Sequence, residues 1–192
     1  FTEVPFMQRF EAAAKAGFTH VEFLFPYDFD ATELRAQLDN HGLKQVLHNL
    51  LPGDWGAGER GIACHPDRVG EFAAGLERAV AYATTLGVTQ LNCLAGIKPA
   101  GVSDEQAMAT LVSNMRVAAD QLKAAGIRLL LEPINSFDIP GFFVNTTAQG
   151  IAVLDAVGSD NAFLQYDIYH AQRMEGELAN TIAKYLPRIG HM

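Results

Sequence analysis

The sequence predicts an α/β chain that forms most of a (β/α)8 TIM barrel, as one incomplete domain over residues 1–192. Three observations carry that expectation. Six short, nearly continuous apolar runs recur along the chain, as suits strands covered on both faces of a parallel sheet. Longer stretches with helical periodicity separate them. Each run also ends in a polar or acidic residue, at the strand end where a parallel barrel carries its chemistry.

Strands are expected at His20–Leu24, Gln45–His48, Thr89–Leu94, Arg128–Glu132, Phe163–Asp167 and Arg188–His191. Their central residues Val21, Val46, Leu91, Leu130, Gln165 and Ile189 lie 24 to 45 residues apart. Six units of that size are too many for a small flavodoxin-like sheet. They fit a barrel whose first strand precedes Phe1 and whose last strand and helices follow Met192. The chain opens on a helical pattern at Phe1 and closes inside a strand pattern at Ile189-Gly190-His191-Met192, so both ends are expected to be cut from a longer polypeptide. A doubly wound sheet is the alternative, since periodicity alone does not close a barrel. No Gly-x-Gly-x-x-Gly or P-loop pattern follows a strand, and no nucleotide cofactor is expected.

The helices between these strands carry readable ends. Asp30 with Glu33 reads as a capping box ahead of Leu34 and Leu38, with Gly42 as the stop. Phe72, Leu76, Val80 and Ala83 form a core-facing stripe that ends at Gly87. Ser103 with Gln106 caps a third helix through Ala107, Leu111, Ala118 and Leu122 to Gly126.

With 49% hydrophobic and 19% charged residues, the composition is that of a globular chain long enough to bury one core. A formal net charge of −8 argues against general binding to nucleic acid or to an anionic membrane. No apolar run approaches the roughly 20 residues that span a bilayer. No secretory signal pattern is present. The two cysteines, Cys64 and Cys93, lack metal-type spacing and read as reduced, buried thiols of a cytoplasmic protein.

Glu22, His48-Asn49, Asn92, Glu132, Asp167 with His170, and His191 stand at the strand ends. One polar residue there would merely satisfy loop backbone, but six strands doing so point to one polar cavity. Glu132 and Asp167 are acids closing apolar strands, where an unpaired carboxylate is costly. Either each is neutralised by an arginine or by backbone N–H groups, or the two converge on a hard divalent cation such as Mg²⁺ or Mn²⁺. His170, three residues after Asp167 and read here as opening a loop, is placed to reach a substrate oxygen, although a lone loop histidine is the simpler reading. The glycine-rich segment from Leu51 to Gly61, with Trp55, is either a functional lid or an ordinary ordered loop. Arg60 on it is suited to a bidentate pair with a substrate carboxylate, or to pairing with Glu59. Phe142 and Phe143, after Pro140-Gly141, wall the cavity or pack in the core.

Longer motifs are more specific. Val21-Glu22-Phe23-Leu24-Phe25-Pro26-Tyr27-Asp28, His48-Asn49-Leu50 with Gly53-Asp54-Trp55, and Gly58-Glu59-Arg60-Gly61-Ile62-Ala63-Cys64 resemble the hydroxypyruvate isomerase family of the xylose-isomerase-like barrels. So do Leu131-Glu132-Pro133-Ile134-Asn135 with Phe137-Asp138-Ile139-Pro140-Gly141-Phe142, and Gln165-Tyr166-Asp167-Ile168-Tyr169-His170 with Met174-Glu175-Gly176-Glu177-Leu178. The resemblance covers essentially all 192 residues. It implies an enzyme that interconverts hydroxypyruvate and 2-hydroxy-3-oxopropanoate through an enediolate. It further implies a small hydroxy- or oxo-acid substrate, no nucleic acid or membrane partner, and leaves a homo-oligomer open.

By that resemblance Glu132 is the first of two acid/base glutamates and a metal ligand, Asp167 is a second ligand, and His170 contacts substrate. His48 and Arg60 complete the candidate substrate contacts. The second glutamate and a third ligand are expected beyond His191, on strands outside these residues. A sister isomerase of an oxo-tetronate and, more distantly, a metal-dependent hydrolase like endonuclease IV remain alternatives.

Overall fold

Six parallel strands, β1 (His20–Glu22), β2 (Lys44–Asn49), β3 (Gln90–Cys93), β4 (Arg128–Leu131), β5 (Ala162–Gln165) and β6 (Ile189–His191), form one sheet in the order β1-β2-β3-β4-β5-β6. The computed structural model describes residues 1–192. Every connection therefore steps to the adjacent strand, as in a barrel, and the doubly wound alternative, whose order reverses at a switch point, falls away. The sheet is curled. His191 on β6 reaches Glu22 on β1, Nε2 to Oε2, at 3.0 Å. In a flat sheet these outermost strands would stand roughly 24 Å apart, five steps of about 4.8 Å.

All six expected strands are present, each within two residues of its expected bounds. β3 is buried throughout, and β4 is buried apart from Arg128. The outer strands depart from the expectation of full coverage: β1 alternates exposed and half-buried residues, and β6 is half-buried throughout. Each has a sheet neighbour on one side only, so half of its flank lies open.

Seven α-helices connect and flank the strands: α1 (Arg9–Lys15), α2 (Ala31–Asn40), α3 (Val69–Leu86), α4 (Asp104–Ala124), α5 (Thr147–Val157), α6 (Ile168–Met174) and α7 (Leu178–Tyr185). At α4, Ser103 and Gln106 make both bonds of a capping box. Thr146 and Gln149 do the same at α5. The expected box at α2 is instead a single cap: Asp30 accepts from the Thr32 and Glu33 N–H groups at 2.8 and 3.2 Å, and Glu33 returns no bond. α3 ends at Gly87, whose φ of 73° is the left-handed closure that glycine adopts without a Cβ penalty.

One continuous apolar core lies between the sheet and these helices, with Leu111, Met115 and Leu122 of α4 and Leu129 and Leu131 of β4 all fully buried. Each large side chain buried there contributes about 1.5–3 kcal/mol, which holds the strand ends in register. Cys64 and Cys93 are buried, and both are free thiols.

Candidate active site

The carboxyl ends of the strands surround a cavity of about 370 Å³. Glu22, His48, Asn49, Glu132, Gln165 and Asp167 line it from β1, β2 and the carboxyl ends of β4 and β5. Asn92 lies fully buried beneath and ties three strand ends together: its Nδ2 donates to Asn49 Oδ1 at 3.0 Å and to Glu132 Oε2 at 2.9 Å. Glu132 is 8% exposed. Its carboxyl is pushed up to about 7, first by burial and then by the neighbouring charge of Asp167, against the hydrogen bonds from Gln165 and Asn92, which lower it.

Asp167 has two tasks. It is the N-cap of α6 and accepts from the backbone N–H of His170 at 3.1 Å. His170 is consequently not at the start of a loop, as expected, but in the first turn of a helix. The three-residue separation that looked like loop spacing is the cap-to-N3 spacing, and it stacks His170 above Asp167. Ligand atoms of Glu132, Asp167 and His170 all lie within 4.8 Å of one another, the one grouping of this kind in the chain. None of the ion pairs in the structure involves Glu132 or Asp167, so neither carboxylate is neutralised by a lysine or arginine.

His48 reaches the cavity from β2 and is 1% exposed. Its Nδ1 lies 3.2 Å from Gln45 Nε2, and its Nε2 has no partner. Burial lowers its pKa from 6.5 to about 3, so the ring is neutral. Arg60 is held outside the cavity lining. Its guanidinium stacks 4.1 Å over the Trp55 ring and donates to the carbonyls of Trp55 (3.1 Å) and Glu59 (2.7 Å). The Glu59 side chain pairs with Arg68 rather than with Arg60. Trp55 does line the cavity and packs on Phe25 at 4.9 Å.

This loop is docked on the loop after β3, backbone against backbone. Gly61 (φ 110°) leaves no room for a Cβ beside the Leu94 carbonyl, and Gly96 (φ 100°) leaves none beside Gly61. Phe142 is buried in the core, in an antiparallel bridge with Ile97, and Ile134 and Ile139 form the apolar wall instead. His191 bonds Glu22 and Gln90 and is not among the cavity residues. The pair with Glu22 raises the His191 pKa above its ordinary value.

Three lining or supporting residues escaped the sequence reading: Gln165, Asn135 and Asp138. Gln165 points inward two residues before Asp167, a position that strand alternation marks. Asn135 and Asp138 carry the local signature of an Asx turn, since Asn135 Oδ1 accepts from the N–H groups of Phe137 (3.1 Å) and Asp138 (2.9 Å).

A family model for xylose isomerase-like TIM barrels matches residues 10–192, and the chain belongs to that family. Hydroxypyruvate isomerase of Escherichia coli (strain K12) is 54% identical over 192 residues, covering all of this chain and 74% of that protein. The 2-oxo-tetronate isomerase of Cupriavidus necator is 43% identical over the same span, again 74% of that protein. A solved structure of an AP endonuclease, family 2, from Brucella melitensis has a TM-score of 0.97 at 42% identity, covering all of this chain and 74% of that one. Identity of this order along the whole chain makes it an isomerase of the hydroxypyruvate and 2-oxo-tetronate isomerase group.

Proposed function

We propose that this enzyme interconverts hydroxypyruvate and 2-hydroxy-3-oxopropanoate, with Glu132 as the proton-transferring carboxylate. The observation that carries this reading is Glu132 itself. Its carboxyl is buried, lines the polar cavity, is held by Asn92 and lacks a lysine or arginine partner. Burial pushes it up towards the working pH, as suits a group that takes and returns a proton. Moving a carbonyl between neighbouring carbons requires that kind of group. In its ionised form Glu132 takes a proton from the hydroxymethyl carbon. The electron pair forms the carbon–carbon double bond of an enediolate as the carbonyl pair passes to its oxygen. The hydroxyl proton of the former hydroxymethyl carbon moves to that oxygen, and a proton delivered to the former carbonyl carbon leaves an aldehyde at the other. The family resemblance assigns that delivery to a second glutamate on the last strand. One carbon is oxidised as its neighbour is reduced, so the balance needs no redox cofactor.

Two carboxylates lacking a cationic partner, one of them deeply buried, are a donor set that suits a hard divalent ion such as Mg²⁺ or Mn²⁺. Glu132 and Asp167 would hold it, and when bound it polarises the substrate carbonyl and stabilises negative oxygen. His170 and His48 are the proposed substrate contacts among the cavity-lining residues, and Trp55 with Ile134 and Ile139 shields the reacting carbons from water. Arg60, stacked on Trp55, supplies positive charge at the rim for the substrate carboxylate.

The 2-oxo-tetronate relatives favour a second substrate one carbon longer. Turnover of hydroxypyruvate and of a 2-oxo-tetronate by the same preparation, followed by proton NMR, tests both. Catalytic efficiency is expected to be higher for the three-carbon acid, and turnover of neither would end this reading. A parallel incubation with a duplex containing an abasic site addresses the activity named for the Brucella protein, and no cleavage is expected.

A further inference from the structure

We propose that Asn135 is a positioning residue that locks His170 as its Nε2–H tautomer, so that His170 offers the substrate a hydrogen-bond donor and offers a metal ion nothing. This rests on the proposed isomerase site and assigns a role within it. The key is that the Asn135 amide can be oriented without reference to the histidine. Its Oδ1 accepts from two backbone N–H groups, those of Phe137 and Asp138, and backbone nitrogens cannot exchange roles. Its Nδ2 therefore points the other way, where it meets Asp138 Oδ2 at 2.9 Å and His170 Nδ1 at 2.7 Å. Asp138 confirms the direction, since its Oδ2 also accepts from Tyr169 Oη at 2.8 Å and an ionised carboxylate only accepts.

One Asn135 hydrogen is thus used on Asp138 and the other on His170. The backbone N–H of Asn135 also faces His170 Nδ1, at 3.5 Å. A ring nitrogen met by two donors keeps its lone pair, and in a neutral imidazole the proton is then on the other nitrogen. Nε2 makes no hydrogen bond within the chain, and His170 lines the cavity, so Nε2–H is left for a ligand. Asn135 is fully buried, and its side-chain Oδ1 closes the turn by accepting from the Phe137 and Asp138 N–H groups, which fixes the amide in place. The cluster of Glu132, Asp167 and His170 consequently divides. The carboxylates would hold a divalent cation, while His170 donates to a carbonyl or enediolate oxygen of the hydroxy-oxo acid.

The test uses the intact protein labelled with ¹⁵N at histidine, with the His170 signals assigned by their loss in His170→Gln. Two-bond proton–nitrogen correlation spectra are expected to show Nδ1 unprotonated and Nε2 protonated at neutral pH. The paired exchange Asn135→Asp with Asp138→Asn keeps the turn and the 135–138 hydrogen bond but places a carboxylate oxygen on Nδ1. It should move the proton to Nδ1 and lower kcat/KM on the order of 10–100-fold without loss of the folded near-ultraviolet spectrum. Mn²⁺ alone should bind His170→Gln as tightly as wild type.

A wild-type spectrum with Nδ1 protonated overturns the proposal. So does a switched tautomer with unchanged kcat/KM, or a drop in Mn²⁺ affinity on the order of 100-fold in His170→Gln. If the paired variant does not fold, the wild-type spectrum and the Mn²⁺ titration still decide. An Nε2–H spectrum in a protein with no isomerase activity would remove the proposed function and leave the tautomer standing.

Discussion

His48 gives the structure a pH dependence whose size follows from its burial. The ring is 1% exposed, one nitrogen has no partner, and its pKa falls from 6.5 to about 3 on folding. A depressed folded value means that the neutral ring's contribution is complete above pH 6.5 and is lost as pH falls towards 3, because the unfolded chain binds a proton that the native site refuses. The slope is about 1.4 kcal/mol per pH unit, so roughly 2 kcal/mol is lost between pH 7.5 and pH 5. The perturbation is His48→Asn, which keeps polarity and removes the titration. Urea unfolding of both proteins at pH 7.5, 6.5, 5.5 and 5.0 is the assay, read as the difference in unfolding free energy. That difference should shift by roughly 2 kcal/mol in the variant's favour towards pH 5. Two parallel pH profiles would refute the reasoning, and would mean that His48 reaches solvent in the native state.

Three further perturbations separate packing from chemistry. Asp167→Asn should weaken Mn²⁺ binding on the order of 100-fold and also raise KM, as isothermal titration and initial rates would show. Unchanged affinity would remove Asp167 from the ligand set. Gly61→Ala forces a Cβ into the Leu94 carbonyl at a φ of 110°, so it should cost more than about 1 kcal/mol and loosen the Trp55 wall, seen as a red-shifted tryptophan emission. Glu175 Oε2 accepts from Thr147 N and Oγ1, both at 2.7 Å, at the start of α5, and Glu175→Gln should cost about 1–2 kcal/mol in thermal unfolding with kcat nearly intact.

Much of the fold could be read from the chain because buried parallel strands must be apolar along their whole length. β3 and β4 announce themselves, and the acids that close such strands stand out against them. Glu132 and Asp167 were legible for that reason, since a carboxylate at the end of Leu129-Leu130-Leu131 has few inexpensive explanations. What failed depended on partners distant in sequence or on elements too short to show a period. α6 spans only Ile168–Met174, too short to show a helical period, so His170 reads as a loop residue and the capping role of Asp167 does not show in the sequence. The hydrogen bond from Asn135 to His170 crosses 35 residues, and nothing near Asn135 marks its second partner. Phe142 beside Pro140-Gly141 looked equally suited to cavity or core, and its bridge to Ile97 on the neighbouring loop decides for the core. For Arg60 the sequence leaves a substrate carboxylate and Glu59 open as partners, and it does not show the stacking on Trp55 five residues earlier that places the guanidinium.

The central claim is that a proton moves through Glu132. The direct measurement is conversion of hydroxypyruvate in D₂O by wild type and by Glu132→Gln, followed by proton NMR and mass spectrometry of the product. Wild type should give 2-hydroxy-3-oxopropanoate carrying solvent deuterium at the new carbon–hydrogen bond. Glu132→Gln, folded and with the same near-ultraviolet spectrum, should slow both conversion and deuterium uptake by on the order of 10²–10⁴. Conversion at the wild-type rate in the folded variant would show that the buried carboxyl at the end of β4 is not the group that moves the proton.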